Sequence, residues 1–216
     1  MARNIYIFRH GETDYNVQKR MQGYLDIPLN ANGIAQAQDL AHKLSYIKLD
    51  CIYSSPLSRA METAKIVAQH NNIKVIPKNG LSEWNLGTFC GHIVRLTEDP
   101  KDTPLNLSSD IVYVPRALIK DDDFIPEKGE SYNMFKKRIL ETMMEIMKNT
   151  AAKNIGIASH SGVVKVLIQE FTNWKLERGG MPNAGYFKMQ WDNKQFSVPE
   201  KPNWLIAQQS SKNICY

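Results

Sequence analysis

Three stretches of this chain put cationic and ionisable side chains where an apolar run stops. Ile5-Tyr6-Ile7-Phe8 runs into Arg9-His10-Gly11-Glu12, and Ile155-Gly156-Ile157-Ala158 runs into Ser159-His160-Ser161-Gly162. The third, "DCIYSSP", is followed one turn past Ser55 by Arg59. Guanidinium groups match phosphate oxygens bidentately, and the free N–H groups of a helix N-terminus favour an anion. An arginine in the first turn of a helix sits at the positive end of the dipole, so something anionic should compensate it. Two guanidinium forks and two imidazoles arranged this way describe a site for a phosphate-like anion.

The elements that must bring these residues together are legible as an alternation of strand and helix patterns, which predicts an α/β layered fold. Ligands of open α/β sheets bind at the carboxyl ends of the strands, where all three cationic stretches fall. Residues 4–8 read as a strand covered on both faces. In "NANGIAQAQDLAHKL" the apolar positions Ile34, Ala37, Ala41 and Leu44 predict a helical face, with Asn30 as N-cap. Ser55 is expected to cap the helix in "PLSRAMETAKIVAQH", with Pro56 at its first position. "IKVIP" and "AGYFKMQWD" predict strands, and "SYNMFKKRILETMMEIMKN" a helix with Phe135, Ile139, Met143, Ile146 and Met147 along its buried side. Periodicity fails across 92–128, where Pro100, Pro104, Pro115 and Pro126 interrupt the chain, and this stretch reads as an inserted, lid-like, partly ordered segment. Beyond Ser197 the expectation is a polar tail.

With 216 residues and 43% hydrophobic content, one domain spanning 1–216 is expected. No apolar run is long enough to span a bilayer, and Met1-Ala2-Arg3-Asn4 leads directly into a strand, so a cytoplasmic protein without membrane association is expected. Cys51, Cys90 and Cys215 have no metal-like spacing and read as reduced thiols, Cys51 in the core. The formal charge of +5 comes from scattered Lys and Arg without a basic block, which argues against nucleic acid. Attraction of small phosphorylated compounds accounts for it, as does a solvated basic surface with no role. Asp121-Asp122-Asp123 reads as a solvated acidic turn, since consecutive carboxylates on a loop cannot all face one ion; no metal and no cofactor are expected. No pattern specifies an oligomeric state.

"RHGETDYN", "QGYLDIPLNANG", "SSPLSRAMETA", "LSEWNLGTFCG", "PEKGES" and "SHSG" occur in an order that resembles the histidine phosphatase superfamily, in its phosphoglycerate mutase-like branch. Background composition gives a lone R-H-G-E on the order of once per thousand chains of this size, so the ordered set is far more specific than that tetrad. The resemblance implies a three-layer α/β/α sandwich with a mostly parallel sheet. It implies that His10 is the nucleophile taking the phosphoryl group, with Arg9, Arg59 and His160 holding the phosphoryl oxygens. Glu83 would protonate the leaving oxygen and later activate water. Asn16 matches a phosphate-contacting asparagine, Gln22 and Gly23 match the loop over the substrate, and the backbone N–H of Ser161 would add a donor.

The chain departs from the family at Phe89-Cys90-Gly91, where Trp-Glu-Gly is usual. It also lacks two features similar proteins of the mutase branch carry after the glutamate, a tyrosine-glycine pair and adjacent arginines; Glu83 is followed by Trp84-Asn85-Leu86-Gly87. The resemblance therefore implies a metal-independent phosphomonoesterase acting through a phosphohistidine on a small phosphorylated metabolite. A cofactor-dependent phosphoglycerate mutase is the first alternative. A regulatory or binding protein that keeps the pocket without turnover is the second, and complete retention of Arg9, His10, Arg59, Glu83 and His160 counts against it.

Overall fold

A computed structural model describes residues 2–69, 72–97, 109–174 and 180–205. In chain order its elements are β1 (Arg3–Arg9), α1 (Asp14–Val17), α2 (Ala31–Leu44), β2 (Cys51–Ser54), α3 (Ser58–Gln69) and β3 (Val75–Pro77), then β4 (Ile93–Thr97), β5 (Ile111–Pro115) and α4 (Arg116–Lys120). They continue with α5 (Tyr132–Asn149), β6 (Asn154–Ser159), α6 (Ser161–Phe171), β7 (Tyr186–Trp191) and β8 (Phe196–Ser197). The main sheet has the order β3-β2-β6-β1-β7-β8; β1, β2, β3 and β6 run parallel, while β7 is antiparallel to β1 and β8 to β7.

β1 lies in the sheet interior with β6 and β7 paired to its edges, and helices cover both of its faces, which is why Ile5 to Phe8 could be continuously apolar. Tyr6, Phe8 and Ile52 face Leu40, Leu44 and Val67 of α2 and α3. On the opposite face Ile5, Ile7, Ile155 and Ile157 meet Phe135, Ile139 and Met143 of α5 and Val163, Val164, Leu167 and Ile168 of α6. This is a three-layer α/β/α arrangement, as expected. Each fully buried Phe or Ile contributes about 1.5–3 kcal/mol relative to exposure, so the two clusters hold the sheet between its helices. The expected apolar stripe of α5 is wholly buried, and Ser131 caps that helix by accepting from the N–H of Met134 at 3.2 Å.

Three local expectations are corrected, and the 92–128 segment gains described elements. Asn30 caps α2 as anticipated, but Ile34 is 37% exposed; Gly33 and Leu40 complete the buried face instead. Ser55 and Pro56 precede α3 rather than begin it. The helix starts at Ser58, whose N–H is taken by the Asp26 carboxylate at 2.7 Å, an acceptor brought in from a distant loop. Within 92–128, β4 and β5 pair in parallel and α4 follows, seated on a small cluster of Phe89, Val112 and Val114. Two strands of five residues among prolines leave no sustained period to read. Finally, the segment after Ser197 is not simply polar: Pro202 and Leu205 are buried, and the indole N–H of Trp204 donates to the Tyr186 carbonyl at 3.1 Å. Lys101, Pro100, Pro104, His70 and Cys215 lie outside the described residues.

Candidate active site

Strand register brings the cationic stretches together. Arg9 pairs with Ser159 at the ends of β1 and β6, and Ser54 pairs with Ala158 on the other side of β6. The His10 N–H donates to the Ser159 carbonyl at 3.0 Å, and the His10 and His160 rings lie 5.2 Å apart at 59°. The loop after β1 can turn this tightly because Gly11 packs against the start of α2. A Cβ on Gly11 would run into the Gly33 carbonyl, and one on Gly33 into the backbone of Glu12. Glu12 itself braces that contact from outside by accepting from the side chains of Asn30 and Asn32.

His10 is buried, and its Nδ1 lies 2.6 Å from the Gly11 carbonyl. A carbonyl can only accept, so Nδ1 carries the proton and the lone pair is left on Nε2. Burial pushes the His10 imidazole well below its usual range, and the guanidinium groups of Arg9 and Arg59 push it the same way. His160 is displaced in the same direction by burial, then by Arg59, His10 and Arg9. Its Nε2 is 2.8 Å from the Ser55 hydroxyl, while its Nδ1 is buried without a partner. Both imidazoles are thus held toward the neutral form in the folded protein.

Arg59 is fully buried in the first turn of α3, where its charge opposes the helix dipole. Its Nη atoms donate to the carbonyls of Leu25 (2.7 Å) and Gly23 (2.8 Å), which fixes the fork, but Nε has no partner. Arg9 donates to the Met181 carbonyl at 2.6 Å and likewise has a buried, unpartnered Nε. Burial lowers the Arg9 guanidinium to about 10, with Glu83 opposing and Arg59 adding to the shift. Buried donors without acceptors are rare in folded proteins because each forfeits its hydration. Two unpartnered guanidinium N–H groups beside two imidazoles call for an anionic oxygen.

Asn16 sits in α1 and closes a capping box with Thr13. Its Oδ1 accepts from the Thr13 N–H and from Asn183 Nδ2, both at 3.1 Å, which leaves its own Nδ2 to face a ligand. Glu83 accepts at both oxygens, from the N–H of Trp84 (2.9 Å) and of Gly162 (3.2 Å). Arg9, His10, Asn16, Gln22, Gly23, Arg59 and Glu83 all line one cavity of about 220 Å³. Gln22 Oε1 is buried there without a partner. Gly23 has φ +47°, and a side chain at that position would collide with the sulfur of Cys90. His160 is buried beside the His10 ring and Ser161 begins α6; neither is in the cavity lining.

Sequence reasoning missed several partners. Gly162 lines the cavity, and any Cβ there would overlap the Glu83 carboxylate; its place after Ser161 was the only available signal. Arg20 also lines the cavity, donating to the Gly91 carbonyl at 2.8 Å and to Asp110 at 3.1 Å. Asn183 steadies both Asn16 and the His10 carbonyl from 173 residues away in sequence. Arg95 is exposed on β4 and is not in the cavity lining. Asp121 and Asp123 form an exposed turn that hydrogen-bonds internally and to Asn133. Among the described residues no three His, Cys, Asp or Glu side chains converge as metal ligands. No described helix is long and apolar enough to cross a membrane.

The profile of the histidine phosphatase superfamily (branch 1) matches residues 5–202. The probable phosphoglycerate mutase GpmB of Shigella boydii is 35% identical over 206 residues, 94% of this chain and 90% of that one. A Hydrogenobacter thermophilus protein named as a phosphoserine phosphatase is 29% identical over 200 residues, 91% of this chain and 93% of that one. The structure of a mycobacterial glucosyl-3-phosphoglycerate phosphatase with VO3 superposes with a TM-score of 0.71 at 26% identity, covering 93% of this chain and 99% of that one.

Proposed function

This chain belongs to branch 1 of the histidine phosphatase superfamily, and we propose that it is a metal-independent phosphomonoesterase that passes the phosphoryl group through His10. The observation that carries this reading is the tautomer of His10. With its proton held by the Gly11 carbonyl, Nε2 offers a lone pair beside a cavity lined by two guanidinium groups, each of which keeps a buried Nε without an acceptor. In the first half-reaction Nε2 attacks phosphorus, the ester P–O bond breaks, and the proton of the protonated Glu83 carboxyl goes to the leaving oxygen. In the second, the Glu83 carboxylate takes a proton from water, water oxygen bonds to phosphorus, and the N–P bond breaks to restore His10.

Arg9 and Arg59 stabilise the equatorial oxygens throughout, which is the main task of a protein in phosphoryl transfer. As the phosphoryl group arrives, its charge offsets the burial that keeps His160 neutral, so His160 can take up a proton and donate to it. Asn16 Nδ2 adds a neutral donor, and the N–H of Ser161 a further one. A cavity of about 220 Å³ supports a small phosphorylated metabolite as substrate.

Relatives bear both mutase and phosphatase names, so the mutase alternative has a specific basis. Against it, Trp84-Asn85-Leu86-Gly87 occupies the place of the tyrosine-glycine pair of similar mutases. Both reactions should be measured on one preparation with 2,3-bisphosphoglycerate as primer. Net phosphate release from the best monoester is expected to exceed isomerisation of 3-phosphoglycerate. Isomerisation faster by about tenfold, worth about 1.4 kcal/mol in relative barrier, overturns the phosphatase reading.

A further inference from the structure

Glu83 belongs to neither a strand nor an α-helix; it follows a single short turn over Asn79–Leu81. Its carboxylate direction is therefore set by how the loop backbone is held. One side chain does most of that holding. Arg138, on α5, donates through Nη1 to the carbonyls of Gly80 (2.9 Å) and Ser82 (3.1 Å), and through Nη2 to the carbonyl of Glu83 itself (3.1 Å). The same fork pairs with Glu130, Nη2 to Oε1 at 2.5 Å and Nε to Oε2 at 3.2 Å.

Glu130 then grips the other side of the loop. Its Oε1 accepts from the Asn85 N–H at 2.9 Å, its N–H donates to the Asn85 carbonyl at 2.9 Å, and its carbonyl accepts from the Trp84 indole at 2.9 Å. Phe135 lies 5.1 Å beneath the guanidinium and stacks on Trp84, so the assembly is packed as well as bonded. Tyr24, from the loop carrying Gln22 and Gly23, lies 5.9 Å from the same guanidinium. Every residue from Ser82 to Asn85 thus has a backbone or side-chain group fixed by Arg138 or Glu130.

We propose that Arg138, through its ion pair with Glu130, is a positioning residue that aims the Glu83 carboxyl at the leaving-group oxygen. This rests on Glu83 being the proton donor. A planar fork can serve three carbonyls and a carboxylate at once; an ammonium cannot, so lysine is not a conservative replacement here. A misplacement of about 1 Å in a reacting group costs on the order of 10²-fold in rate. The loss should fall on substrates whose leaving group needs a proton.

The test uses the full chain and three probes, 4-nitrophenyl phosphate, phenyl phosphate and glycerol 2-phosphate, with Arg138→Lys, Glu130→Gln and Glu83→Gln. For Arg138→Lys and Glu130→Gln, kcat/KM on glycerol 2-phosphate is expected to fall by about tenfold or more and on 4-nitrophenyl phosphate by less than about threefold. Inhibition by inorganic phosphate should stay within about twofold, because Arg9 and Arg59 are untouched. Equal losses on all three probes in a variant that melts like the parent overturn the proposal, as would failure of both clamp variants to fold. If Glu83→Gln itself loses equally on all probes, the proton-donor reading fails instead, and the two failures are told apart by which variant shows them.

Discussion

The neutrality of His10 and His160 has a thermodynamic consequence. Both imidazoles lie well below their usual range in the folded protein because burial, and then the neighbouring arginines, disfavour the charged form. In the unfolded chain each returns to about 6.5. As pH falls through that value the unfolded state takes up protons that the folded state refuses, so stability is fully present above it and is lost on acidification. Between pH 7.5 and 5.5 each group is expected to lower stability by on the order of 1 kcal/mol, and the two together by about twice that. Most carboxylates titrate below this window. Urea denaturation at several pH values in phosphate-free buffer reads the effect directly. His10→Ala and His160→Ala should each remove about half of the dependence, and the double variant nearly all of it. A parent protein with equal stability at pH 7.5 and 5.5, or single variants that keep the full slope, would refute the neutral-pair argument and with it the preformed nucleophile.

Turnover with a labelled substrate is expected to leave an acid-labile, base-stable phosphoryl group on His10, located by peptide mapping; label elsewhere would end that assignment. Exhaustive chelation with EDTA should leave phosphatase activity intact, since the guanidinium groups of Arg9 and Arg59 supply the charge a metal would otherwise supply; loss on chelation with recovery on adding Mg²⁺ would contradict this. Gly162→Ala forces a Cβ onto Glu83 Oε1. Because alanine favours the helix by about 1 kcal/mol while overpacking costs about 1–3 kcal/mol, stability should fall by no more than about 2 kcal/mol. Hydrolysis of alkyl phosphates should nevertheless fall by on the order of 10²-fold, and an unchanged rate would show that Glu83 need not stand where it does.

What this sequence determined by itself was local. Apolar runs ending in Arg9 and His160, the Asn30 cap and the five buried apolar positions of α5 all follow from contacts within a few residues, where periodicity and capping chemistry act. The ordered motifs pointed to Arg59, Glu83 and Asn16 as further candidates, and the structure brings all three to the cavity that His10 lines. Tertiary structure alone decided how these parts meet. Asp26 rather than Ser55 caps α3 because a loop folds over its first turn. The pairing of β4 with β5 could not be seen in a segment whose strands are too short to show a period and are stabilised by each other and by Phe89. Gly162 leaves room for Glu83, and Arg138 and Glu130 hold the loop that bears it, only because α5 and α6 flank the same strand. Hydrogen bonds and excluded volume act between groups a few ångströms apart, and residues 79 or 55 positions away along the chain come that close only after the sheet has set their register.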